Sequence, residues 1–472
     1  MATPPTIFWF RRDLRLTDNP ALAEAVRRGD GEVAAVFVVD DVFAAPAGAA
    51  RVDFLRRTLE SLDRSIGGHL TVRTGEPAAV LTELAREVGA REVVATADFA
   101  PRGRERDDSV RDDLAARGIT LHLVDSPYVV APGLILSASL TPYRVFSAYR
   151  RAWEILPPGQ SVPAPSGVRW CRLASSSLDD LSVRAALRRP WYFEGLPDST
   201  PRAVGAGEEA AHAALASFAH HVDRYDETRN APGLDATSRL SAHLRFGALH
   251  PRQVLAALDG ESSARRTFRS EIVWREFYAD VLFHRPDSVR EVMQPSLVNL
   301  RVDCDDAARV RFATWAKGET GFPLVDAGMR QLLEEGWMHN RVRMVSASFL
   351  VKHLHLDWRW GARWFMWRLI DGDVASNQHG WQWTAGTGTD AAPFHRVFNP
   401  TRQAERFDPD GSYVRRYVRE LAAVPAPNCL QPGGGAGLFG AAYPAPMLDV
   451  DVERREALAR FAEARAAPGP HA

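Results

Sequence analysis

The feature that most restricts the fold of this 472-residue chain is a change of hydrophobic period part-way along it. Over residues 1–130, short β-branched apolar runs at 7–10, 33–39, 70–73, 93–97 and 120–124 alternate with helical periodicity at 51–66 and 77–88. A strand covered on both faces reads as a continuous apolar run, so this alternation predicts a parallel α/β sheet with helices on both sides. Beyond residue 206 the strand pattern stops. Helical period takes over at 208–225, 251–258, 265–283, 322–335, 340–353 and 360–370. Between the two, proline, serine and glycine gather at 157–159, 163–167 and 175–177, as in a connector. The expected organisation is an α/β domain (1–130), a linker (131–205), a large all-α domain (206–465) and a tail (466–472).

The first strand leads into Arg11-Arg-Asp-Leu-Arg-Leu-Thr-Asp-Asn-Pro20 without a Gly-x-Gly-x-x-Gly, so the Rossmann dinucleotide fingerprint is absent. Thr17, Asp18 or Asn19 before Pro20 marks a helix start. The net charge of −1 gives no general attraction for phosphate, which speaks against a histone-like role and leaves nucleic-acid binding to a local patch. Cys171, Cys304 and Cys429 are odd in number and far apart, giving neither a disulfide framework nor a zinc or four-cysteine cluster spacing. No apolar run of about 18 residues is present. A soluble protein of the reducing cytoplasm is expected, with no membrane partner.

Several stretches concentrate reactive or ligand-binding residue types. Thr237-Ser-Arg-Leu-Ser241 puts three hydroxyls and a guanidinium at the start of a helical run, which suits a bound anion and equally an ordinary capped helix. Glu271, Trp274 and Arg275 share one helical face at i, i+3 and i+4; Asn340, Arg343 and Met344 repeat the spacing. Read singly, each set is also a buried ion pair beside a packed side chain. Asp371-Gly-Asp373, with Asn377 downstream, suits helix capping, acceptance from Arg343 or acceptance from the N–H groups of a ligand ring. With only His379 nearby, no metal is expected.

Nine of the 13 tryptophans fall between residues 274 and 383. Trp381 and Trp383 flank Gln382, a spacing that aligns both rings in an extended backbone but splays them by about 200° in a helix. Arg396, Arg402, Arg406, Arg415, Arg416 and Arg419 follow, facing only Glu405, Asp408, Asp410 and Glu420. That is the footprint of a nucleic-acid surface, or of a solvated face in a chain whose only lysines are Lys317 and Lys352.

Together, Phe8-Trp-Phe-Arg-Arg-Asp-Leu-Arg-Leu-Thr-Asp-Asn-Pro20, Thr237 to Ser241, Trp274-Arg-Glu-Phe-Tyr278, Gly336-Trp-Met-His-Asn-Arg-Val-Arg-Met344, Asp371-Gly-Asp373, Gly380-Trp-Gln-Trp383, Thr387-Gly-Thr-Asp-Ala-Ala-Pro-Phe394 and Phe398-Asn-Pro400 resemble the photolyase/cryptochrome family. The resemblance runs in order over residues 6 to 465 and is strongest to bacterial class I cyclobutane pyrimidine dimer photolyases. It implies FAD in the helical domain and an antenna chromophore near the α/β domain. Tyr225, Thr237, Ser238, Leu240 and Ser241, with Arg239 nearby, would hold the FAD diphosphate region. Arg275, Asn340, Arg343, Asp371, Asp373 and Asn377 would surround the isoalloxazine and ribityl groups, with Arg343 paired to Asp371 and Asn377 at flavin N5.

The resemblance also implies UV-damaged DNA as partner and a monomeric enzyme. A dimer flipped from the duplex would pack on Trp274 and Trp383, with Met344 lining the pocket, Glu271 and Asn340 bonding base edges, and Arg396 and Arg402 on the DNA surface. Light would excite reduced FAD, one electron would split the dimer, and the electron would return. A cryptochrome-type blue-light receptor without repair is the alternative. Three departures from the family pattern stand out. Phe268 replaces a frequent tryptophan, and the electron relay keeps Trp381 and Trp358 but has Asp305 at its distal place, which leaves light-driven reduction of FAD either slow or rerouted through Trp315, Trp360 or another ring. Gly103 stands where folate-binding members carry glutamate, and residues 98–107 look more like the deazaflavin (8-HDF) type than the folate (MTHF) type.

Overall fold

The computed structural model describes residues 3–40, 47–179, 181, 193–196, 204–391, 393, 396–434 and 443–466. Parts of the expected linker, most of the tail, and Ala392 and Phe394 of the glycine-threonine motif lie outside the described residues. The chain forms two compact units, one of Met1–Arg189, Val204–Asp223 and Ser238–Pro286, the other of Pro190–Ala203, Arg224–Thr237 and Asp287–Ala472.

The first unit contains the sheet. Strands β1 (Thr6–Phe10), β2 (Glu32–Val39), β3 (Thr71–Thr74), β4 (Glu92–Thr96) and β5 (Thr120–Val124) are all parallel in the order β3-β2-β1-β4-β5. A short β6 (Arg169–Trp170) adds to β2. Helices α1 (Pro20–Arg28), α2 (Ala49–Ser65), α3 (Pro77–Val88) and α4 (Pro101–Ala115) make the crossovers. Every residue of β1 is buried, as its unbroken apolar run requires. Asn19 is the residue that starts α1: its side chain accepts from Leu22 N at 3.0 Å, and Pro20 fills the first helical position, where no N–H is needed.

Residues 131–205, read from composition as a connector, hold regular structure as well. Helix α5 (Phe146–Trp153) buries Phe146, Tyr149 and Trp153, a stripe at i, i+3 and i+7 that the surrounding prolines and serines obscure. After it come α6 (Glu208–Ala219), α7 (Ser241–Phe246), α8 (Pro251–Ala257) and the 22-residue α9 (Ser263–His284). The helical run expected to reach residue 225 stops at Ala219 and passes into a 3-10 turn, Val222–Arg224.

Helix α9 organises the strand-to-helix connection through two buried carboxylates. Glu276 accepts from Val129 N at 2.6 Å, Val130 N at 3.1 Å and the Trp153 indole at 2.6 Å, while Asp280 accepts from Gly133 N at 2.7 Å. Burial pushes both carboxyls above the usual carboxylate range, and these hydrogen bonds work against that shift.

Within its described residues the second unit is built from helices: α10 (Asp306–Lys317), α11 (Pro323–Glu335), α12 (Asn340–Lys352), α13 (Trp358–Arg368), α14 (Val374–Ala385), α15 (Pro400–Phe407), α16 (Ser412–Tyr417) and α17 (Val450–Ala466). Side-chain caps define several of these starts. Asp305 accepts from Ala308 N at 2.8 Å, Asp357 from Arg359 N at 2.8 Å, Asp373 from Ser376 N at 3.1 Å and Asn399 from Arg402 N at 3.1 Å. The core gathers Trp315, Trp364, Phe322, Phe349 and their neighbours. Helices α13 and α14 approach closely at Gly361, where a Cβ would lie 2.1 Å from the Trp381 ring. No described helix is long and apolar enough to cross a membrane.

Because Glu276 satisfies three donors at once, Glu276→Ala is expected to lower unfolding stability by about 3 kcal/mol. An unchanged urea midpoint would show that this connection does not depend on the carboxylate.

Candidate active site

In the first unit, Glu271, Trp274 and Arg275 stand half-buried on α9 as the spacing predicts. Trp274 lies face to face on Phe146, with ring centroids 3.6 Å apart and planes at 6°. One side of this indole is thereby fixed by α5, a partner that the sequence reading missed because the helix lay in the presumed connector. Arg275 donates to Pro127 O at 3.1 Å and Leu244 O at 3.2 Å and sits 4.5 Å over the Tyr128 ring, so its charge is held against the body of the unit. Phe268 is core, packed on Phe218 at 4.7 Å.

At 237–241 the chain turns through Arg239 at φ +50°, and Ser238 Oγ accepts from Leu240 N at 3.4 Å. Leu240 is buried, Thr237, Ser238 and Arg239 are half-buried and Ser241 is exposed. No side chain caps α7, so this short segment presents hydroxyls beside uncapped backbone N–H groups.

In the second unit, Arg343 on α12 forms a fork with Asp371, Nη2 to Oδ2 at 2.8 Å and Nη1 to Oδ1 at 3.3 Å, and its Nε donates to Met338 O at 2.8 Å. The Asp371 side chain is only 3% exposed, so Arg343 takes the place of water around it. Asp373 is the cap of α14. One turn on, Asn377 donates from Nδ2 to Ala362 O at 3.1 Å and to Gln378 Oε1 at 2.8 Å. The atom facing a backbone carbonyl must be the amide nitrogen, so the remaining group of Asn377 is its acceptor, Oδ1. Asn340, at the start of α12, is exposed, and Met344 is half-buried on the same helix. Tyr225 is buried with Arg229 5.7 Å over its ring.

The tryptophans divide by geometry. Trp381 and Trp383 are both on α14 and not on an extended segment, so their rings splay: Trp381 is buried and Trp383 half-buried. Trp381 meets Trp315 at 6.2 Å and Phe365 at 5.0 Å, both edge-on. Trp315 is fully buried, donates to Ser346 O at 3.1 Å and lies 5.7 Å from Phe312, which in turn meets Trp360 at 5.7 Å. Trp358 is buried at the start of α13. Asp305 has the helix-capping role described above, which accounts for a short acidic residue at that place.

Arg396 and Arg402 are exposed. The structure adds Arg341, with Arg229 beside it, to this surface. Arg341 bonds Asn230 through Nε and Nη2 and sits 4.5 Å over the Phe407 ring. Burial, with the charges of Arg229, Arg396 and Arg406 beside it, pushes its guanidinium below the ordinary range. Arg341 stands inside the quoted Gly336-to-Met344 motif, so its position was visible although its role was not. Lys352, buried on α12, donates to Arg396 O at 3.0 Å and fixes the backbone there.

The first unit has a second concentration of charge where strand order reverses, at the carboxyl ends of β1 and β4, the place where open α/β sheets bind ligands. Arg11 pairs with Asp107, Arg106 bonds Asp98 and Asp107, and both guanidinia lie over Trp9, at 4.6 and 5.0 Å. Burial opposes ionisation of Asp98, yet Arg106, Arg12 and Arg11 hold its carboxyl below the usual range. A Cβ on Gly103 would lie 2.3 Å from the Asp98 carboxyl carbon, so a glutamate at that position does not fit this arrangement.

Comparison with known proteins agrees with these features. The family described as DNA photolyase matches residues 6–166, and that described as the FAD binding domain of DNA photolyase matches residues 268–463. A deoxyribodipyrimidine photo-lyase of Halobacterium salinarum is 38% identical over 97% of this chain and 99% of its own length. Among solved structures, a class III photolyase from Agrobacterium tumefaciens is 36% identical with a TM-score of 0.87, covering 99% of both chains. A Synechocystis cryptochrome is 28% identical with a TM-score of 0.83, covering 97% of this chain and 99% of its own. The sheet, the helical unit and the full-length matches together place the chain in the photolyase/cryptochrome family, with an FAD-binding domain in its C-terminal half.

Proposed function

We propose that this protein is a light-driven DNA repair enzyme that splits cyclobutane pyrimidine dimers, using FAD bound by its helical half. The observation that carries the reading is the grouping of the Arg343–Asp371 fork, the Asp373 cap and Asn377, whose amide nitrogen is engaged and whose Oδ1 is left as acceptor, in one unit. Reduced FAD, when bound and illuminated, supplies the electron that opens the dimer and takes it back. The chain's residues bind and orient. Tyr225, Thr237, Ser238, Arg239, Leu240 and Ser241 hold the diphosphate region, and Arg275, Asn340, Arg343, Asp371, Asp373 and Asn377 the ring and ribityl chain. Asn377 Oδ1, the only acceptor its amide has left, keeps a proton on N5 and so favours the reduced cofactor.

Trp274, whose other face is fixed by Phe146, and Trp383 stack on the extruded bases, a contact worth roughly 1–3 kcal/mol per base. Met344 lines the pocket, and Glu271 and Asn340 bond the pyrimidine edges. Arg396 and Arg402, with Arg341 and Arg229, contact the DNA backbone. The match to a cryptochrome shows that the fold alone does not separate repair from signalling. Retention of Glu271, Trp274, Asn340, Met344 and Trp383, and the name of the Halobacterium relative, favour repair.

Within this reading, residues 1–130 form the antenna domain, 131–205 the linker, 206–465 the catalytic domain and 466–472 the tail. The antenna is a deazaflavin of the 8-HDF type at the β1/β4 ends rather than MTHF, a reading supported by Gly103, which lies against the Asp98 carboxyl where folate-binding members carry glutamate. The enzyme works as a cytoplasmic monomer, in keeping with three free cysteines.

Glu271→Ala is expected to keep bound FAD, read from flavin absorbance, and to lower dimer-repair yield about tenfold, the worth of one charge-assisted hydrogen bond. Unaltered repair would remove Glu271 from the lesion site. Light-driven reduction of oxidised enzyme is expected to pass from Trp381 to Trp315, so Trp315→Phe should slow photoreduction while leaving repair by chemically reduced enzyme intact. Equal photoreduction rates would return the relay to Trp358.

A further inference from the structure

We infer that the turn over residues 133–145 is a second DNA-contacting element, in which Leu140 acts as an apolar wedge against the strand beside the lesion; this rests on the repair function proposed above. Four apolar side chains stand in water within twelve residues: Leu134 is 70% exposed, Leu136 36%, Leu140 78% and Val145 48%. A concentration of this kind on a folded surface marks an interaction site.

The turn is rigid. Asp280 holds Gly133 N at its base, a bridge joins Leu136 to Pro142, Ser137 N donates to Thr141 O at 2.9 Å, and Leu140 N donates to Ser137 O at 2.9 Å. At the tip, the Ser137 hydroxyl lies 2.9 Å from that of Ser139 and 2.8 Å from that of Thr141. Leu140 itself has φ +59°, a conformation that glycine or asparagine adopts readily and leucine does not. A strained, exposed leucine at the end of an anchored turn is costly to the free protein and useful only against a partner.

Two observations identify that partner as nucleic acid. Residues 131–154 contain Arg144, Arg150 and Arg151 against a single acid, Glu154, which pairs with Arg150 at 3.6 Å; Arg144 and Arg151 are exposed, so the segment carries net positive charge and complements a polyanion rather than a second copy of its own uncharged tip. Val145 also leads directly into Phe146, the ring stacked on Trp274. The turn is thus continuous with the ring that backs Trp274, the proposed platform for the flipped base, where extrusion leaves a gap in the stack that an apolar side chain fills. Hydroxyls at the tip suit phosphate or sugar contacts.

The test compares wild type with Leu140→Gly and Leu140→Asn in the dark, using one thymine dimer placed in a duplex, the same dimer in a single strand, and undamaged duplex. Both variants are expected to bind the duplex dimer about tenfold more weakly, the effect of losing one buried leucine, with the single-stranded dimer unaffected. Flavin content should be unchanged and Tm unchanged or raised, since both substitutions relieve the backbone. Unchanged duplex affinity, equal loss on both substrates, or a fall in Tm would overturn the inference, as would a wild-type dimer that the variants dissociate. Wild type that fails to prefer dimer-containing DNA in either form would overturn the repair function and this inference with it.

Discussion

The buried Asp371 carboxylate is the constraint around which the FAD-binding half is arranged. A carboxylate shielded from water is stable only if a cation and further hydrogen bonds replace its hydration, and Arg343 supplies both through a two-pronged contact. That contact ties α12 to the turn preceding α14. Asp373, two residues on, caps α14, and from that cap the helix carries Asn377, Trp381 and Trp383 at fixed angles. One ion pair therefore sets the positions of the acceptor, the buried ring and the half-buried ring that the proposed chemistry needs. In the first unit the comparable role belongs to α9, whose Glu276 and Asp280 hold the 129–133 backbone while Trp274 is braced by Phe146.

The clustering of tryptophan resolves into separate physical jobs. Trp364 and Trp315 are among the largest fully buried side chains and fill the helical core. Trp315 also touches Trp381, and through Phe312 the series reaches half-buried Trp360, so core packing and a path for electrons use the same rings. Net charge near zero likewise conceals a local field: burial, and then the charges of Arg229, Arg396 and Arg406 beside it, push the Arg341 guanidinium below its ordinary range, a penalty that a bound phosphate would relieve.

Much of this was legible in the sequence because it is written in local rules. The strands follow from apolar runs, α1 from Asn19-Pro20, and the faces of α9 and α12 from i, i+3 and i+4 spacing. The Arg343–Asp371 pair was anticipated from the family resemblance, and the structure shows it as a fork. What escaped was non-local or hidden by composition. Helix α5 sits among prolines and serines, so Phe146 as the partner of Trp274 could not be read. Trp381-Gln-Trp383 suits a strand as well as a helix, and only the Asp373 cap decides for the helix. Leu140 looks ordinary in the sequence and shows its strain only as a backbone angle.

The most direct measurement is the restoration of intact thymines when the purified, reduced protein is incubated with thymine-dimer DNA in blue light and, in parallel, in darkness. The account predicts restoration in the light and none in the dark. A flavin-loaded protein that restores no thymines under illumination would contradict it and would favour the signalling alternative.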